Sequence, residues 1–169
     1  MELMFNWKQI KTRGRGLTFD DVLLMPSKSD VRSRRDPSLK SFLTKNISIE
    51  TPIISANMDT VTEWEMAAAM DQLGGLGILH RFASIEQQVE FVKKVKETGA
   101  QNISASIGVN DDFKERAEAL VRSGVNIITI DIAHGHSVSM MEVMKWLKDK
   151  FSNVEIIAGN IATQEAAYD

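Results

Sequence analysis

Short apolar segments recur at a nearly constant spacing through most of the chain, and this recurrence limits the possible folds more than any other feature. The segments begin near residues 52, 76, 103, 127 and 154, so neighbouring starts are about 24 to 27 residues apart. Each segment is followed by residues with the spacing of an amphipathic helix. Repeats of this length predict βα units, in which parallel strands are joined by right-handed crossovers.

Two architectures fit such repeats, a doubly wound open sheet and a (β/α)8 barrel. A dinucleotide-binding sheet would carry the motif Gly-x-Gly-x-x-Gly directly after a strand. In this chain the glycine-rich segment, Leu73 to Gly77, comes instead at the start of a predicted strand. Five strands are too few to close a barrel. We therefore predict an α/β fold, a (β/α)8 TIM barrel of which this chain supplies about the first five βα units. Residues 17–169 would form the amino-terminal part of a single catalytic domain, and residues 1–16 a flexible arm.

Polar and glycine residues predict where the helices begin and end. A Ser or Thr followed three residues later by Glu or Gln has the spacing of a capping box, which favours the start of a helix. Glycine favours the end of a helix. The predicted starts are Thr60 with Glu63, Ser84 with Gln87, and Ser139 with Glu142, and the predicted ends are Gly74, Gly99 and Gly124.

Composition excludes several classes of function. The 169 residues carry a net charge of −3 and a pI near 5.7, which gives no reason to expect a nucleic acid or an anionic membrane as partner. The chain has no cysteine, so it supplies neither a disulfide nor a thiolate nucleophile. No apolar run approaches the ~20 residues of a membrane span, and the first fifteen residues lack the apolar core of a secretion signal. We expect a cytoplasmic protein.

Polar clusters follow every predicted strand. Any one of them alone fits ordinary turn chemistry. Because the carboxyl ends of parallel strands meet at one rim, where helix amino termini favour anions, five together indicate a ligand-binding rim. The clusters are Ser55 to Asp59, His80 with Arg81, Ser106 to Gly108, Asp131 to Ser137, and Gly159 with Asn160.

Two further groups of residues admit two interpretations each. The basic stretch Arg32 to Arg35 fits a solvated loop or an anion-binding loop, since guanidinium groups match phosphate oxygens. His134 and His136 are similar to the metal-binding pair of some hydrolase barrels. A catalytic zinc needs three well-placed protein ligands, so we predict no metal site.

Five motifs together resemble the IMP dehydrogenase/GMP reductase family of purine nucleotide oxidoreductases. They are Gly16 to Leu24, Ser55 to Val61, Gly74 to His80, Asp131 to Ser137, and Ala158 to Asn160. The resemblance implies a (β/α)8 barrel that assembles as a homotetramer and binds a purine nucleotide, GMP or IMP.

The resemblance is closer to GMP reductases than to IMP dehydrogenases. Typical dehydrogenases insert a pair of CBS modules after the second strand, for which this chain has no room. Asn57 and the run from His80 to Phe82 are similar to reductases, whereas Gly16 to Leu24 and Val61 to Glu63 are similar to dehydrogenases. The implied activity is NADPH-dependent reductive deamination of GMP to IMP and ammonia.

Other functions stay open. The first alternative is an IMP dehydrogenase that oxidises IMP to XMP with NAD, and the second is a non-catalytic phosphate-ligand-binding α/β domain. A phosphosugar isomerase or lyase would need Lys or Glu at the strand ends, which this rim mostly lacks.

The resemblance also implies roles for individual residues. Those implied for the cofactor are Ser33, Arg34, Arg81, Asp131, Ile132 and Ala133, and those implied for the purine nucleotide are Asn57, Met58 and Asn160. The cysteine that attacks purine C2 in the family, and a monovalent cation such as K+, are expected beyond Asp169. The chain thus carries no catalytic residue of its own and is expected to be inactive alone.

Overall fold

A computed structural model of the chain describes residues 18–110 and 112–169. The predicted arm of residues 1–16 lies outside these ranges. The described residues belong to two units, one of residues 18–38 and one of Leu39–Asp169. The smaller unit holds a 3-10 turn, Phe19–Asp21, which the Asp21 carboxylate caps by accepting a hydrogen bond of 2.8 Å from the Thr18 N–H. This bond lowers the pKa of Asp21 from its ordinary value.

The larger unit alternates strands and helices. A hairpin of β1 (Ser41–Phe42) and β2 (Ser48–Ile49) comes first. The strands that follow are β3 (Ile54–Ser55), β4 (Leu76–Leu79), β5 (Ser104–Ile107), β6 (Ile127–Asp131) and β7 (Glu155–Gly159). The helices are α1 (Trp64–Gln72), α2 (Ile85–Glu97), α3 (Phe113–Ser123), α4 (Val138–Lys150) and α5 (Gln164–Tyr168).

Strands β3 to β7 form one curled parallel sheet in the order of the chain. Each strand pairs with the next, and the register places Ile127 of β6 opposite Ser104 of β5 and Glu155 of β7. This arrangement confirms the predicted α/β architecture and is that of the first part of a TIM barrel.

Alternate residues of the strands contact two different apolar layers. Leu79, Ile107, Ile128 and Ile130 pack against helix side chains such as Val92 in the main core. On the other face, Leu76, Ile78 and Ile127 form a second cluster with Leu43 and Ile47 of the hairpin segment. Strand β6 is therefore buried on both faces, as its run of β-branched residues predicts.

The β1–β2 hairpin covers the amino-terminal end of the sheet. Its side chains meet Leu76 and Ile127, the first residues of β4 and β6. Farther along the sheet, Asn46 Nδ2 donates a hydrogen bond of 2.6 Å to Glu155 Oε1 at the start of β7. This bond, and a second from Thr44, lower the pKa of Glu155 from its ordinary value.

Two of the three predicted capping boxes are wrong. Helix α1 begins after Glu63, whose side chain accepts no capping hydrogen bond. Helix α4 begins after Ser137, which accepts a hydrogen bond from the Met140 N–H, so Ser139 lies inside the helix. The cap at Ser84 is confirmed, because its Oγ accepts from the Gln87 N–H.

The predicted helix ends at Gly74, Gly99 and Gly124 are confirmed, and all three glycines have positive φ angles. At Gly124 the angle is 122°, and its N–H bonds back to the last turn of α3. In the ranges 18–110 and 112–169, no helix is long and apolar enough to span a membrane.

The two edge strands of the sheet leave apolar side chains in contact with solvent. At the β3 edge, Ile53 and Ile54 are 59% and 45% exposed. At the other edge every residue of β7 is only partly buried. Unpaired strand edges of this kind are templates for association with other chains.

The chain of residues 1–169 expressed alone should self-associate through these edges. Ile54→Lys places a charge on the β3 edge and should raise the monomer fraction measured by analytical ultracentrifugation. The matched control is Leu73→Lys, because Leu73 is 71% exposed but follows α1 and belongs to no strand. A monodisperse wild-type monomer that melts cooperatively would contradict this prediction.

Candidate functional site

An arginine–carboxylate pair joins two strand ends at the carboxyl-terminal rim of the sheet. Asp131 is the last residue of β6, and Arg81 follows β4 by two residues. Arg81 Nε donates a hydrogen bond of 3.2 Å to the Asp131 carbonyl oxygen and lies 3.6 Å from Asp131 Oδ2. The two side chains are 28% and 20% exposed, so the pair is half-buried yet open to a ligand.

Gly108 provides the space in which Arg81 crosses from β4 to β6. Strand β5 lies between these strands, and Gly108 follows it directly. A Cβ added at Gly108 would lie 3.3 Å from Arg81 Nη1, which is tighter than ordinary contact. The guanidinium also lies 5.1 Å from the ring centroid of Phe82, within the range of a cation–π interaction.

The pairing of β6 with β7 continues beyond the strands and holds the predicted cofactor segment. The Ile132 N–H donates to the Gly159 carbonyl at 3.0 Å, and the Asn160 N–H donates to the Ile132 carbonyl at 2.7 Å. The Gly135 N–H then donates to the Asn160 carbonyl at 2.7 Å. These bonds fix Ile132, which is half-buried, while Ala133 stays exposed.

Gly135 is required by the close approach of these two segments. A Cβ at this position would lie 2.8 Å from the Asn160 carbonyl oxygen and 3.1 Å from the Gly159 carbonyl carbon. Both are backbone atoms of the neighbouring segment, so neither can rotate away.

The predicted nucleotide residues Asn57 and Met58 lie on the turn after β3. Asn57 is half-buried, and Met58 is 53% exposed. The fully buried Thr62 holds the turn: its Oγ1 donates to the Ala56 carbonyl at 2.6 Å and lies 2.8 Å from Ser55 Oγ. Its N–H also donates to the Met58 carbonyl at 3.0 Å. The third predicted nucleotide residue, Asn160, is exposed at the end of β7.

The other two predicted cofactor residues, Ser33 and Arg34, belong to the unit of residues 18–38. Both are exposed there. Ser33 forms a turn with Asp36, in which the Ser33 N–H donates to Asp36 Oδ2 at 2.9 Å. The rim thus brings together Arg81 and Asp131 to Ala133, whereas Ser33 and Arg34 are placed only within their own unit.

His80 belongs to the predicted ligand-binding rim, but the sequence assigned it no individual role. It is 3% exposed, and its Nδ1 accepts a hydrogen bond of 3.2 Å from the Phe82 N–H. An imidazole that accepts at Nδ1 carries its proton on Nε2 when neutral. Nε2 is the only buried side-chain polar atom without a hydrogen-bond partner among the described residues, and Glu63 Oε1 lies 3.7 Å away.

A second polar network beneath the rim was also missed. Gln88 of α2 is fully buried and contacts the ends of both β4 and β5, and Arg116 of α3 contacts Gln88. The sequence signal is weak, because Gln88 is a polar residue on the same helix face as Ile85 and Val92. Nothing in the sequence pairs it with Arg116.

Among the residues that the structure describes, the two histidines after β6 form no metal site with other side chains. His134 is exposed, and His136 Nε2 lies 2.9 Å from Asp169 Oδ2. His136 and Asp169 line an open cavity of about 440 Å³ beside the start of α4. Within the part of the chain that the structure describes, no group of three or more His, Cys, Asp or Glu side chains is arranged to hold a metal ion.

Comparison with known families identifies the protein class to which this rim belongs. The family model described as "IMP dehydrogenase / GMP reductase domain" matches residues 16–169. The chain belongs to the IMP dehydrogenase/GMP reductase family. This finding confirms the resemblance of the five motifs, and the family comprises oxidoreductases of purine nucleotides.

Relatives of both activities are similar to the chain. It is 38% identical to an inosine-5'-monophosphate dehydrogenase of Cryptosporidium parvum, over 92% of this chain and 48% of that protein. It is also 38% identical to the corresponding enzyme of Borreliella burgdorferi, over 90% of the chain and 50% of the relative. A GMP reductase of Lactobacillus delbrueckii is 35% identical, over 88% of the chain and 44% of the relative. The chain therefore spans about half the length of these family members.

Alignment lengths show that the family members differ by insertions. The alignment with the Cryptosporidium dehydrogenase covers 198 positions, more than the 169 residues of the chain, so that relative contains an insertion. The alignment with the Lactobacillus reductase covers only 150 positions. Other reductases in the family align over 294 positions, so the insertion does not separate the two activities.

Gly135→Ala should destabilise the protein, because the added methyl group would force the ends of β6 and β7 apart. We expect a loss of about 1–3 kcal/mol in the free energy of unfolding, measured by urea denaturation of the full-length protein. The matched control is Gly159→Ala, whose added Cβ meets no atom within 4 Å. Equal stability of the two variants would show that the close approach at Gly135 is not maintained in solution.

Proposed function

We propose that this chain is part of a GMP reductase, which converts GMP to IMP and ammonia with NADPH. The observation that carries the proposal is the Arg81–Asp131 pair at the carboxyl-terminal rim of a barrel of this family. In the proposed reaction purine C2 loses its amino group as ammonia and gains a hydride, and NADPH becomes NADP+. Because the chain spans about half the length of its relatives, the activity is proposed for the full-length protein.

The free acceptors of Asp131 support a site for the nicotinamide riboside. In the described part of the chain its carboxylate oxygens accept no hydrogen bond, since even Arg81 Nε is 3.6 Å from Oδ2. Two carboxylate oxygens can accept hydrogen bonds from adjacent ribose hydroxyls. The small, exposed Ala133 leaves space beside this carboxylate. The dinucleotide, when bound, supplies the hydride.

The turn after β3 supports a site for the purine nucleotide. Asn57 offers a carboxamide that can both donate to and accept from a purine ring. Met58 is 53% exposed, and a polarizable thioether packs well against flat rings. The buried Thr62 contacts fix this turn before any ligand arrives. At the far end of the sheet, Asn160 offers a second carboxamide, and this residue is exposed.

The choice of GMP reductase rests on Asn57 and on the run from His80 to Phe82, which are similar to reductases. A specific observation favours the alternative: the dehydrogenases of Cryptosporidium and Borreliella are 38% identical to the chain, whereas the Lactobacillus reductase is 35% identical. The second candidate function is therefore oxidation of IMP to XMP with NAD, at the same rim.

The rest of the catalytic machinery is proposed for the part of the protein beyond Asp169. It comprises the cysteine that forms a covalent adduct at purine C2 and the site of a monovalent cation such as K+. Forming an adduct divides one difficult displacement into two easier steps. We propose a cytoplasmic homotetramer for the full-length protein.

Asp131→Ala should impair hydride transfer in the full-length protein more than it weakens nucleotide binding. If the carboxylate orients the nicotinamide end, kcat and kcat/KM should fall together, by about a hundredfold. Steady-state kinetics with GMP and NADPH measure both constants. The matched control is Asp149→Ala, an exposed carboxylate near the end of α4, which should leave them unchanged. Wild-type turnover of the Asp131 variant would remove the residue from the proposed site.

The full-length protein should oxidise NADPH in the presence of GMP, and Arg34→Ala should narrow its preference for NADPH over NADH. Loss of a charge-assisted pair with the 2′-phosphate should cost about 1.5–3 kcal/mol, which is about tenfold to a hundredfold in the preference ratio. The matched control is Arg122→Ala, an arginine that is 71% exposed on α3. NAD reduction with IMP, without NADPH oxidation in the presence of GMP, would establish the dehydrogenase alternative.

A further inference from the structure

One buried side chain connects the ends of β4 and β5. Gln88 Nε2 donates one hydrogen bond to the His80 carbonyl and one to the Ser106 carbonyl, both at 2.9 Å. His80 directly follows β4, and Ser106 lies near the end of β5. Since an amide group has two N–H donors, both are used, and the side chain fixes the separation of the two carbonyl groups.

Arg116 fixes the orientation of this amide. Its Nη1 donates to Gln88 Oε1 at 2.9 Å and to the Ala83 carbonyl at 3.0 Å. Its Nε and Nη2 lie 2.9 and 2.8 Å from Asp112 Oδ2. The arginine side chain is only 11% exposed. Because a guanidinium can only donate, Oε1 must face Arg116, and Nε2 must face the strand ends.

The two carbonyl groups held by Gln88 flank the path of Arg81. The His80 carbonyl belongs to the residue from which the Arg81 backbone continues. Ser106 lies two residues before Gly108, against which the Arg81 guanidinium packs. A shift of either strand end would therefore move the guanidinium relative to Asp131, which it reaches at 3.2 Å.

We propose that Gln88 and Arg116 are positioning residues for dinucleotide binding, acting by holding the ends of β4 and β5 so that Arg81 reaches Asp131. This inference rests on the proposed function only in that Arg81 and Asp131 face the dinucleotide. Neither Gln88 nor Arg116 contacts the ligand itself, since both lie beneath the rim.

A structural role alone would produce a different result from a positioning role. Loss of buried hydrogen bonds lowers stability wherever they occur. A positioning role adds a selective effect on the dinucleotide, because a small misplacement of a binding group reduces catalytic efficiency about tenfold to a hundredfold. The Michaelis constant of the purine nucleotide, whose residues lie on other strand ends, should change little.

The test uses Gln88→Met in the full-length protein, with Val92→Ala as the matched control. Val92 is fully buried on the same helix but has no polar side-chain atom that could bond either strand-end carbonyl, so its variant reports lost packing alone. At a temperature where both variants are folded by circular dichroism, Gln88→Met should lower kcat/KM for the dinucleotide about tenfold to a hundredfold. Val92→Ala should lower only the melting temperature. Equal kinetics of the two variants would overturn the proposal.

Arg116→Lys provides a second variant if Gln88→Met does not fold. Lysine keeps the charge beside Asp112 but loses the planar fork that orients the amide, so the same selective loss is expected to a smaller degree. In an Arg81→Gln variant, a further substitution at residue 88 or 116 should have little additional kinetic effect, because the guanidinium that these residues position is already absent. Additive losses would contradict the proposed path through Arg81.

Both reactions are assayed so that failure of the proposed function can be distinguished from failure of this inference. If the protein turns over IMP with NAD instead, the proposed reductase activity is wrong. The selective effect of the variants is then measured on the Michaelis constant for NAD. If no turnover is measurable, calorimetric dissociation constants of NADPH and NAD for the wild type and the variants replace the kinetics. Absence of binding by either dinucleotide would overturn the inference.

Discussion

The Arg81 guanidinium must cross the end of one strand to reach Asp131 on the next, and the arrangement of the rim depends on that crossing. The bond is made to a backbone carbonyl at 3.2 Å, with the carboxylate slightly farther away at 3.6 Å. A partly exposed ion pair contributes little stability on its own. Its value is therefore geometric: Gly108 leaves the path open, and the buried amide of Gln88 keeps the two strand ends in place.

The inner face of the sheet carries hydroxyl groups beside its apolar side chains, and these hydroxyl groups are hydrogen-bonded within the sheet. Ser106 Oγ donates to the Leu79 carbonyl at 2.8 Å, and Ser104 Oγ and Thr129 Oγ1 lie 3.2 Å apart. Buried hydroxyl groups without partners would be costly, so these bonds allow small polar side chains inside the curled sheet. Ser106, which the sequence placed in the polar rim, is fully buried and supports the sheet instead.

Regular features of the fold could be predicted from the sequence, because they depend on local patterns. The apolar run of Ile127 to Asp131 predicts a strand by itself, and the glycine after α3 predicts the end of that helix by itself. The β1–β2 hairpin could not be predicted, since strands of two residues show no periodicity. The expected cap at Ser139 failed because the neighbouring Ser137 caps α4 instead. The expected cap at Thr60 failed because α1 begins only after Glu63, whose side chain accepts no capping hydrogen bond.

The site could be predicted only in part. Parallel pairing of the strands explains why polar residues gather at the strand ends. Which of these side chains bond to each other depends on the tertiary structure. Arg81 and Asp131 are 50 residues apart, and Arg116 and Gln88 are 28 apart. No sequence-spacing rule connects residues that are so far apart along the chain. The buried Gln88 resembles any polar helix residue until the carbonyl groups at the strand ends are visible.

The hairpin segment that packs below the sheet gives the two ends of this half-barrel different properties. Leu43 and Ile47 fill the amino-terminal end with apolar side chains, and Asn46 extends this cover to β7. The opposite end has glycines, exposed carboxamides and a half-buried ion pair. An apolar cover at one end of this half-barrel leaves the polar rim as the end at which a ligand can be held.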